Sequence, residues 1–252
     1  MTEPLSDVPR ALFDPGRSRV QRYMDLVVGQ HGWWPLLKYE LAMLVSGVPG
    51  ALGLLLRGWL YPWILQRCGR DVTFGAHVII RHPHKIRIGD HVAIDDGAIL
   101  DAKGTANRGI TLGNEVFIGR NSILACKDGE IELEDGVNVS YHCLIFSGSV
   151  VRVGRKTLLA AQSYLVGGGH DFQSVDRPVV EQARPSKGIE VGHGCWIGAG
   201  AKVLDGVRIG QDAIIGANAV VTDDVPDFAI AAGSPARVIR DRRISDPRPP
   251  PP

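Results

Sequence analysis

"GIEVGHGCWIGAGAKVLDGVRIGQDAIIGANAVVTDDVP", residues 188–226, counts in sixes. Large aliphatic side chains fall at Val191, Ile197, Val203, Ile209, Ile215 and Val221. Four places after each comes a small or β-branched one: Cys195, Ala201, Val207, Ala213, Ala219 and Val225. A period of six with one large and one small inward residue describes a parallel β-helix of triangular section. Each hexad makes one short strand and one corner, and three hexads, ~18 residues, complete a turn.

The same phrase recurs upstream as "KIRIGDHV", "GITLGNEV", "EIELEDGV" and "VVRVGRKT", with anchors at Ile88, Leu112, Leu133 and Val153 and further anchors at Ile94, Ile118, Val139 and Leu159. Counting along the whole repeat, fifteen positions lie four after an anchor, from Val92 to Val225, and every one holds Val, Ala, Ser, Thr or Cys. Cys143 and Cys195 fall on this small position and are read as packing residues. The equivalent anchors Ile88, Leu112, Leu133, Val153, Val191 and Ile209 are 24, 21, 20, 38 and 18 residues apart. The small excesses are corner loops. The large one is a loop extruded over residues 167–188, opening on Gly167, Gly168 and Gly169, which let the backbone leave the coil. The repeat begins near Val72 and ends near Val225, and its two ends are sheet edges that need covers. "PDFAIAAGSPARVIRDRRISD" reads as a last strand, a turn and a short basic segment.

The expected organisation is a flexible N-terminus over 1–17, a helical hydrophobic region over 18–70, the β-helix over 71–240 and a basic, proline-rich tail over 241–252. The fold is mainly β, with helices only before the repeat. With 28 basic and 27 acidic residues the net charge is +1, which gives no reason to expect a nucleic-acid partner. The four cysteines form no C-x-x-C pair, so a reduced, cytoplasmic protein is expected, and the N-terminus lacks the layout of a secretory signal. The uncharged run from Leu41 to Leu56 is 16 residues long and interrupted by Pro49-Gly50. It is too short for a spanning helix, which needs ~20 apolar residues. Two readings of this region stand. Its helices cap the first turn of the coil or a neighbouring subunit, or residues 33–66 lie on a bilayer surface with Trp33, Trp34, Trp59, Tyr61 and Trp63 as interfacial aromatics.

A flat β-helix face offers few pockets, so chemistry is expected where a loop or another subunit covers it. His170 stands at the root of the long loop and can accept a proton at neutral pH, with Asp171 or Asp176 near enough in sequence to orient its ring. His142 lies on an outward position between Val139 and Cys143 and is a second candidate. His82 and His84 are read as corner residues of the first turn. No spacing of histidines fits a metal site built across turns, so no metal is expected.

These hexads, the His-bearing loop, "CWIGAG" and "AIAAGSPARVIR" resemble the hexapeptide-repeat acyltransferases, nearest the sugar O-acetyltransferases of the maltose and galactoside kind. The resemblance covers about residues 72–240. The N-terminal hydrophobic region resembles branches tied to polysaccharide or lipid-linked glycan biosynthesis. The resemblance implies a left-handed parallel β-helix, a homotrimer with a site at each subunit interface, acetyl-CoA as donor, and a sugar or glycan acceptor. It implies His170 as the general base, Trp196 lining the site, and Gly198, Ala199, Gly216 and Ala217 contacting the pantetheine arm. Thr222, Arg237 and Arg240 would lie near the nucleotide. Two departures stand out. Asp223 replaces a lysine common in the family, with Arg242 or Arg243 expected to compensate, and Ser140, Tyr141 and His142 replace an asparagine near the thioester. Tyr141, His142 and Asp171 are therefore acceptor-side candidates. Alternatives are an N-acyltransferase acting on an amino sugar and a non-catalytic trimeric scaffold.

Overall fold

The computed structural model describes residues 16–244. The expectations for most of the N-terminus and the proline-rich tail lie outside those residues. Three helices come first: α1 over Arg19–Tyr23, α2 over Trp33–Leu44 and α3 over Gly50–Leu60. The chain then winds into a left-handed parallel β-helix with three sheets, of seven, nine and seven strands. The first face runs from Arg67–Cys68 to Arg208–Ile209. The second begins at Thr73–Phe74 and the third at Ile79–Arg81.

The hexad register holds across the coil. Ile88 pairs with Leu112, Leu112 with Leu133, Leu133 with Val153, Val153 with Val191 and Val191 with Ile209. The anchors are buried, and so are fourteen of the fifteen small positions; Ser149 is half-exposed. Buried hydroxyls are satisfied by the next turn: Ser122 Oγ donates to Ser140 O and accepts from Cys143 N, and Thr157 Oγ1 donates to Gly192 O and accepts from Cys195 N. The coil starts one hexad earlier than Val72, because Cys68, paired with Ile88, takes an anchor position that an aliphatic pattern passes over.

Irregularity is confined to one edge of the prism. Corners from the first face to the second, and from the second to the third, hold four residues in every turn up to Val221. Most of them place a third residue in the left-handed region, including Asn121, Gln162 and Asn218, and His77, His91 and His142 are such corner residues. Corners from the third face back to the first vary from the two residues between Ser147 and Val150 to the long excursion between Gly167 and Ile189. We call this the loop edge.

Both ends are covered. The hairpin of α2 and α3 sits on the first turn: Tyr39 Oη donates to Ile80 O at 2.8 Å, and the Tyr61 ring packs edge-on against Phe74 at 5.0 Å. Tyr61 is therefore a core residue, not an interfacial one, and burial pushes its phenol up to about 12. His82 and His84 lie, as expected, in the first corner from the third face back to the first, between Ile79–Arg81 and Ile86–Ile88. They pack under Gly29, where His82 Nε2 lies 3.1 Å from Asp25 O, so the N-terminal helical segment docks on them. At the far end Ala229–Gly233 and Ala236–Asp241 form an antiparallel hairpin, so the basic segment is a strand.

The buried guanidinium of Arg57 ties the first cap together. Its Nε donates to Phe74 O at 2.9 Å, and its Nη1 reaches Val48 O at 2.7 Å, with Val45 O and Ser46 O at 3.3 and 3.4 Å. A Cβ on Gly53 would lie 1.7 Å from Val48 O and 2.7 Å from Arg57 Nη1. Alanine normally stabilises a helix interior relative to glycine by ~1 kcal/mol. Here Gly53→Ala is expected to lower stability, and Arg57→Ala to lower it by ~3 kcal/mol, since it strands several buried carbonyls. Urea unfolding of the purified chain checks both signs.

Candidate active site

The extruded loop is a built arm. On departure, Gly167 O accepts from Gly148 N and from Ser186 Oγ, and Ser186 Oγ also contacts Ser149 Oγ at 2.9 Å. On return, Lys187 N and Gly188 N both donate to the Asp205 carboxylate. Between these clamps the two limbs pair: Gly169 N donates to Pro185 O at 3.1 Å and Asp171 N to Ala183 O at 2.7 Å. Gln182, buried at the tip, bonds the backbone of Ser174 and Arg177.

Of the three opening glycines only Gly168 has a positive φ, 153°. Gly167 is glycine for space, since a Cβ there would lie 2.7 Å from Val151 Cγ2. His170 is exposed on the outgoing limb. The pairing on either side of it sets it opposite Arg184. Asp171 and Asp176 do not orient its ring: Asp171 Oδ1 accepts from Gln173 N, Asp176 is exposed, and neither is bonded to His170. Lys127 lies at the foot of the arm. Its ammonium is held below its ordinary value by burial and then by Arg184, with Lys103 adding to the effect and Asp128 opposing it. Arg184 and Lys127 join His170 only through the arm's pairing, so nothing in the hexad pattern marks them.

The other candidates lie elsewhere on the prism. Trp196 projects, half-exposed, from the second face between Leu158 and Ile214. Gly198 and Ala199 open the following corner, with Gly216 and Ala217 one turn further on. Tyr141 and His142 belong to the same edge, two turns before Ala199. Tyr141 packs on Phe117 and under Arg120. Along this edge the glycine N–H groups stack into the coil, Gly198 N on Ile215 O and Gly216 N on Ala231 O. Ala199 and Ala217 are exposed, and among the described residues their N–H groups have no partner. We call this the alanine edge. Two exposed backbone donors one turn apart suit an extended amide-bearing ligand.

Near the end of the coil, Arg237 Nη1 donates to Asp223 Oδ2 at 3.1 Å, and Thr222 Oγ1 donates to the same oxygen at 3.0 Å. Arg237 thus compensates the unexpected carboxylate, while Arg243 pairs with Asp241 and Arg242 donates to Asp212 O. A shallow hollow lined by Asp223, Asp224, Ala231, Ala236, Arg237 and Val238 adjoins them. Arg240 stands on the closing strand, opposite Ile230. Cys143 and Cys195 are buried, and burial raises the Cys195 thiol above its ordinary value, in keeping with packing. Among the described residues no group of three or more His, Cys, Asp or Glu side chains could hold a metal ion.

Fold and site together define a hexad-built parallel β-helix with a His-bearing arm on one edge and free backbone donors on another. The profile described as "Bacterial transferase hexapeptide (six repeats)" matches residues 188–223. A Mycobacterium tuberculosis protein described as "Probable acetyltransferase Rv3034c" is 28% identical over 184 residues, 73% of this chain and 59% of that one. The chain therefore spans less than two thirds of that relative's length. Among solved structures, AntD, an N-acyltransferase from Bacillus cereus in complex with dTDP and 3-hydroxybutyryl-CoA, is similar in fold. The TM-score is 0.50 at 22% identity, over 71% of this chain and 84% of that one. A galactoside acetyltransferase in complex with coenzyme A matches at a TM-score of 0.38 and 20% identity, over 82% and 80% of the two chains. Residues 188–223 thus carry the repeat of the bacterial hexapeptide transferases, and the chain resembles that family.

The two glycines of the alanine edge differ in tolerance. A Cβ on Gly198 would lie 2.6 Å from both Ala217 N and Ile215 O, whereas on Gly216 its tightest contact is Ala232 Cβ at 2.9 Å. Gly198→Ala is expected to cost roughly 1–3 kcal/mol and Gly216→Ala clearly less, because only the first forces backbone apart. Thermal melts of the two variants check the order.

Proposed function

We propose that this protein is an acetyl-CoA-dependent acetyltransferase that acylates a hydroxyl of a sugar or glycan, with His170 as general base. The observation that carries the reading is the pair of edges: an exposed histidine on a clamped arm, and unpartnered Ala199 and Ala217 N–H groups beside Trp196. The family and the mycobacterial relative support acetyl transfer.

In the proposed reaction an acceptor O–H within reach of His170 gives up its proton as its oxygen attacks the thioester carbonyl. The tetrahedral intermediate collapses with cleavage of the C–S bond, and the departing thiolate takes the proton back from the imidazolium. No acyl-enzyme is formed. The pantetheine amides lie along the alanine edge, held by Ala199 and Ala217 with Gly198 and Gly216 keeping the floor low, and Trp196 walls the reacting end. Thr222, Arg237 and Arg240 lie toward the nucleotide. The Arg237–Asp223 pair offers phosphate a near-neutral partner there, so affinity rests mainly on the pantetheine arm. Arg184 and Lys127 beside His170 favour an acceptor carrying negative charge; Tyr141 and His142 face the acceptor from the other edge, and Asp171 follows the base on the arm.

His170 and Trp196 stand on opposite sides of one prism, so the proposed enzyme works as a homotrimer in which one subunit's loop edge faces the next subunit's alanine edge. Acetyl-CoA is a cytoplasmic metabolite, and the reaction is assigned to that side of the membrane.

His170→Ala should lower kcat ~100-fold or more while leaving the KM for acetyl-CoA nearly unchanged. Thiol release with sugar acceptors, coupled to mass spectrometry of the product, measures it. A variant retaining more than about a tenth of the activity removes His170 as the base. An amide product formed from amino sugars alone moves the reading to N-acylation. Light scattering should return three times the chain mass of 27.2 kDa.

A further inference from the structure

The helical hairpin on the first turn is inverted relative to an ordinary surface helix, which turns its apolar stripe to the core and its charges to water. In α2 the stripe Trp33, Leu37, Leu41 and Leu44 faces solvent, with Trp33 73% and Leu44 75% exposed. In α3 the stripe Leu52, Leu55 and Trp59, continued by Trp63, does the same, with Leu55 70% and Trp59 60% exposed. The side turned inward carries Tyr39, Ala42, Gly53 and the guanidinium of Arg57. The two stripes make up most of the large exposed hydrophobic side chains before the coil.

We propose that this face is a docking surface for an anionic lipid bilayer, which seats the N-terminal end of the coil against the membrane. Three observations choose lipid over a protein partner. Four of the chain's five tryptophans lie here, as the edge-on pairs Trp33–Trp34 at 5.3 Å and Trp59–Trp63 at 4.9 Å. Tryptophan concentrates where one end of a ring is apolar and the other wet, as at a headgroup boundary. Charge is segregated with them. From Arg17 to Arg70 the chain has seven basic and two acidic residues, against 21 and 25 in the remainder. Lys38, on the same helix, lies over the Trp34 ring at 5.4 Å, bringing a cation to the edge of the apolar face. Finally, the geometry is that of a surface element. No described helix is long and apolar enough to cross a membrane. The 11 residues of α3 reach roughly 17 Å at ~1.5 Å each, against a hydrocarbon core of ~30 Å. Arg57 holds the turn between α2 and α3 to the coil, so the two stripes are presented as one rigid face.

The test is flotation of the full chain with vesicles of phosphatidylcholine alone and of three parts phosphatidylcholine to one part phosphatidylglycerol, at low and high salt. Tryptophan emission is recorded alongside, since four of the five reporters sit in the face. The expected result is co-flotation with the anionic vesicles, a blue shift, and weakening by salt. Trp33→Ser combined with Leu44→Ser, Leu55→Ser and Trp59→Ser should bind on the order of 100-fold more weakly, because the apolar area buried in the boundary sets the affinity. All four positions are exposed, so the variant should keep its circular dichroism and melting temperature; a charge variant, Lys38→Glu, should weaken only the preference for anionic lipid. Failure of the unaltered chain to float overturns the proposal. So does a fall in the four-residue variant's mass from trimer to monomer without vesicle binding by the parent, which would make the face a subunit contact. Neither result bears on the acyl-transfer reading, which is assayed without vesicles.

Discussion

The narrowness of the coil governs the rest of the structure. Each turn has room inside for three large and three small side chains, and backbone groups must find partners in the turns above and below. A slip of one residue in any strand would turn its anchor outward and bring a polar neighbour in. The chain therefore cannot absorb extra residues within a strand. Two edges are closed by four-residue corners stacked tightly enough that a Cβ on Gly198 would meet backbone of the next turn. Extra chain is left to the third edge alone, and the His-bearing arm stands there for that reason. A repeat this strict allows variation along one line and rigidly positions whatever is built on it.

The same strictness made much of the fold legible. The pattern of one large and one small inward residue determines strand, corner and register together, so the pairing from Ile88 through Leu112 to Ile209 follows from counting. What counting missed has local causes. Cys68 fills an anchor position without being aliphatic, so the first strand was hidden. The three glycines at the arm's root look alike in sequence, but one supplies a positive φ, one supplies space beside Val151, and one meets nothing. Arg184 comes opposite His170 through pairing of the arm's two limbs, and Asp223 finds Arg237 through the closing hairpin. Those neighbours are set by tertiary contacts that no six-residue period encodes.

The N-terminal cap shows how far hydropathy can mislead about direction. Its apolar content is plain in the sequence, but which side faces inward depends on where Arg57 can be satisfied. The carbonyls at the α2–α3 turn and Phe74 O supply several acceptors for one guanidinium, so the charge is buried at little cost and the leucines on the far side are released to the surface. Tyr61 moves inward by the same logic, as its ring finds Phe74 and its hydroxyl points at Val78 O. Capping the coil and presenting an apolar face outward are thus two sides of one arrangement, and the two readings of this region do not compete.

The three faces of the prism differ in a way that bears on how subunits would meet. The first carries a ladder of ion pairs from Arg108 through Glu130, Glu132 and Arg152, with Glu190 and Arg208 beyond, and is suited to water. The third presents Ile99, Ile123, Leu144, Tyr164 and Val166 half-exposed along its middle, with the Arg81–Asp101 pair toward one end and Lys202 beside Tyr164 toward the other. This face lies between the loop edge and the alanine edge. If the third faces of three copies surround a common axis, each copy's loop edge comes beside the next copy's alanine edge without any further rearrangement. The association that buries the apolar face is then the one that brings His170 toward Ala199, Ala217 and Trp196. In the proposed trimer, assembly and catalysis would both follow from one choice of which face to hide, each chain lending its arm to one site and its alanine edge to another.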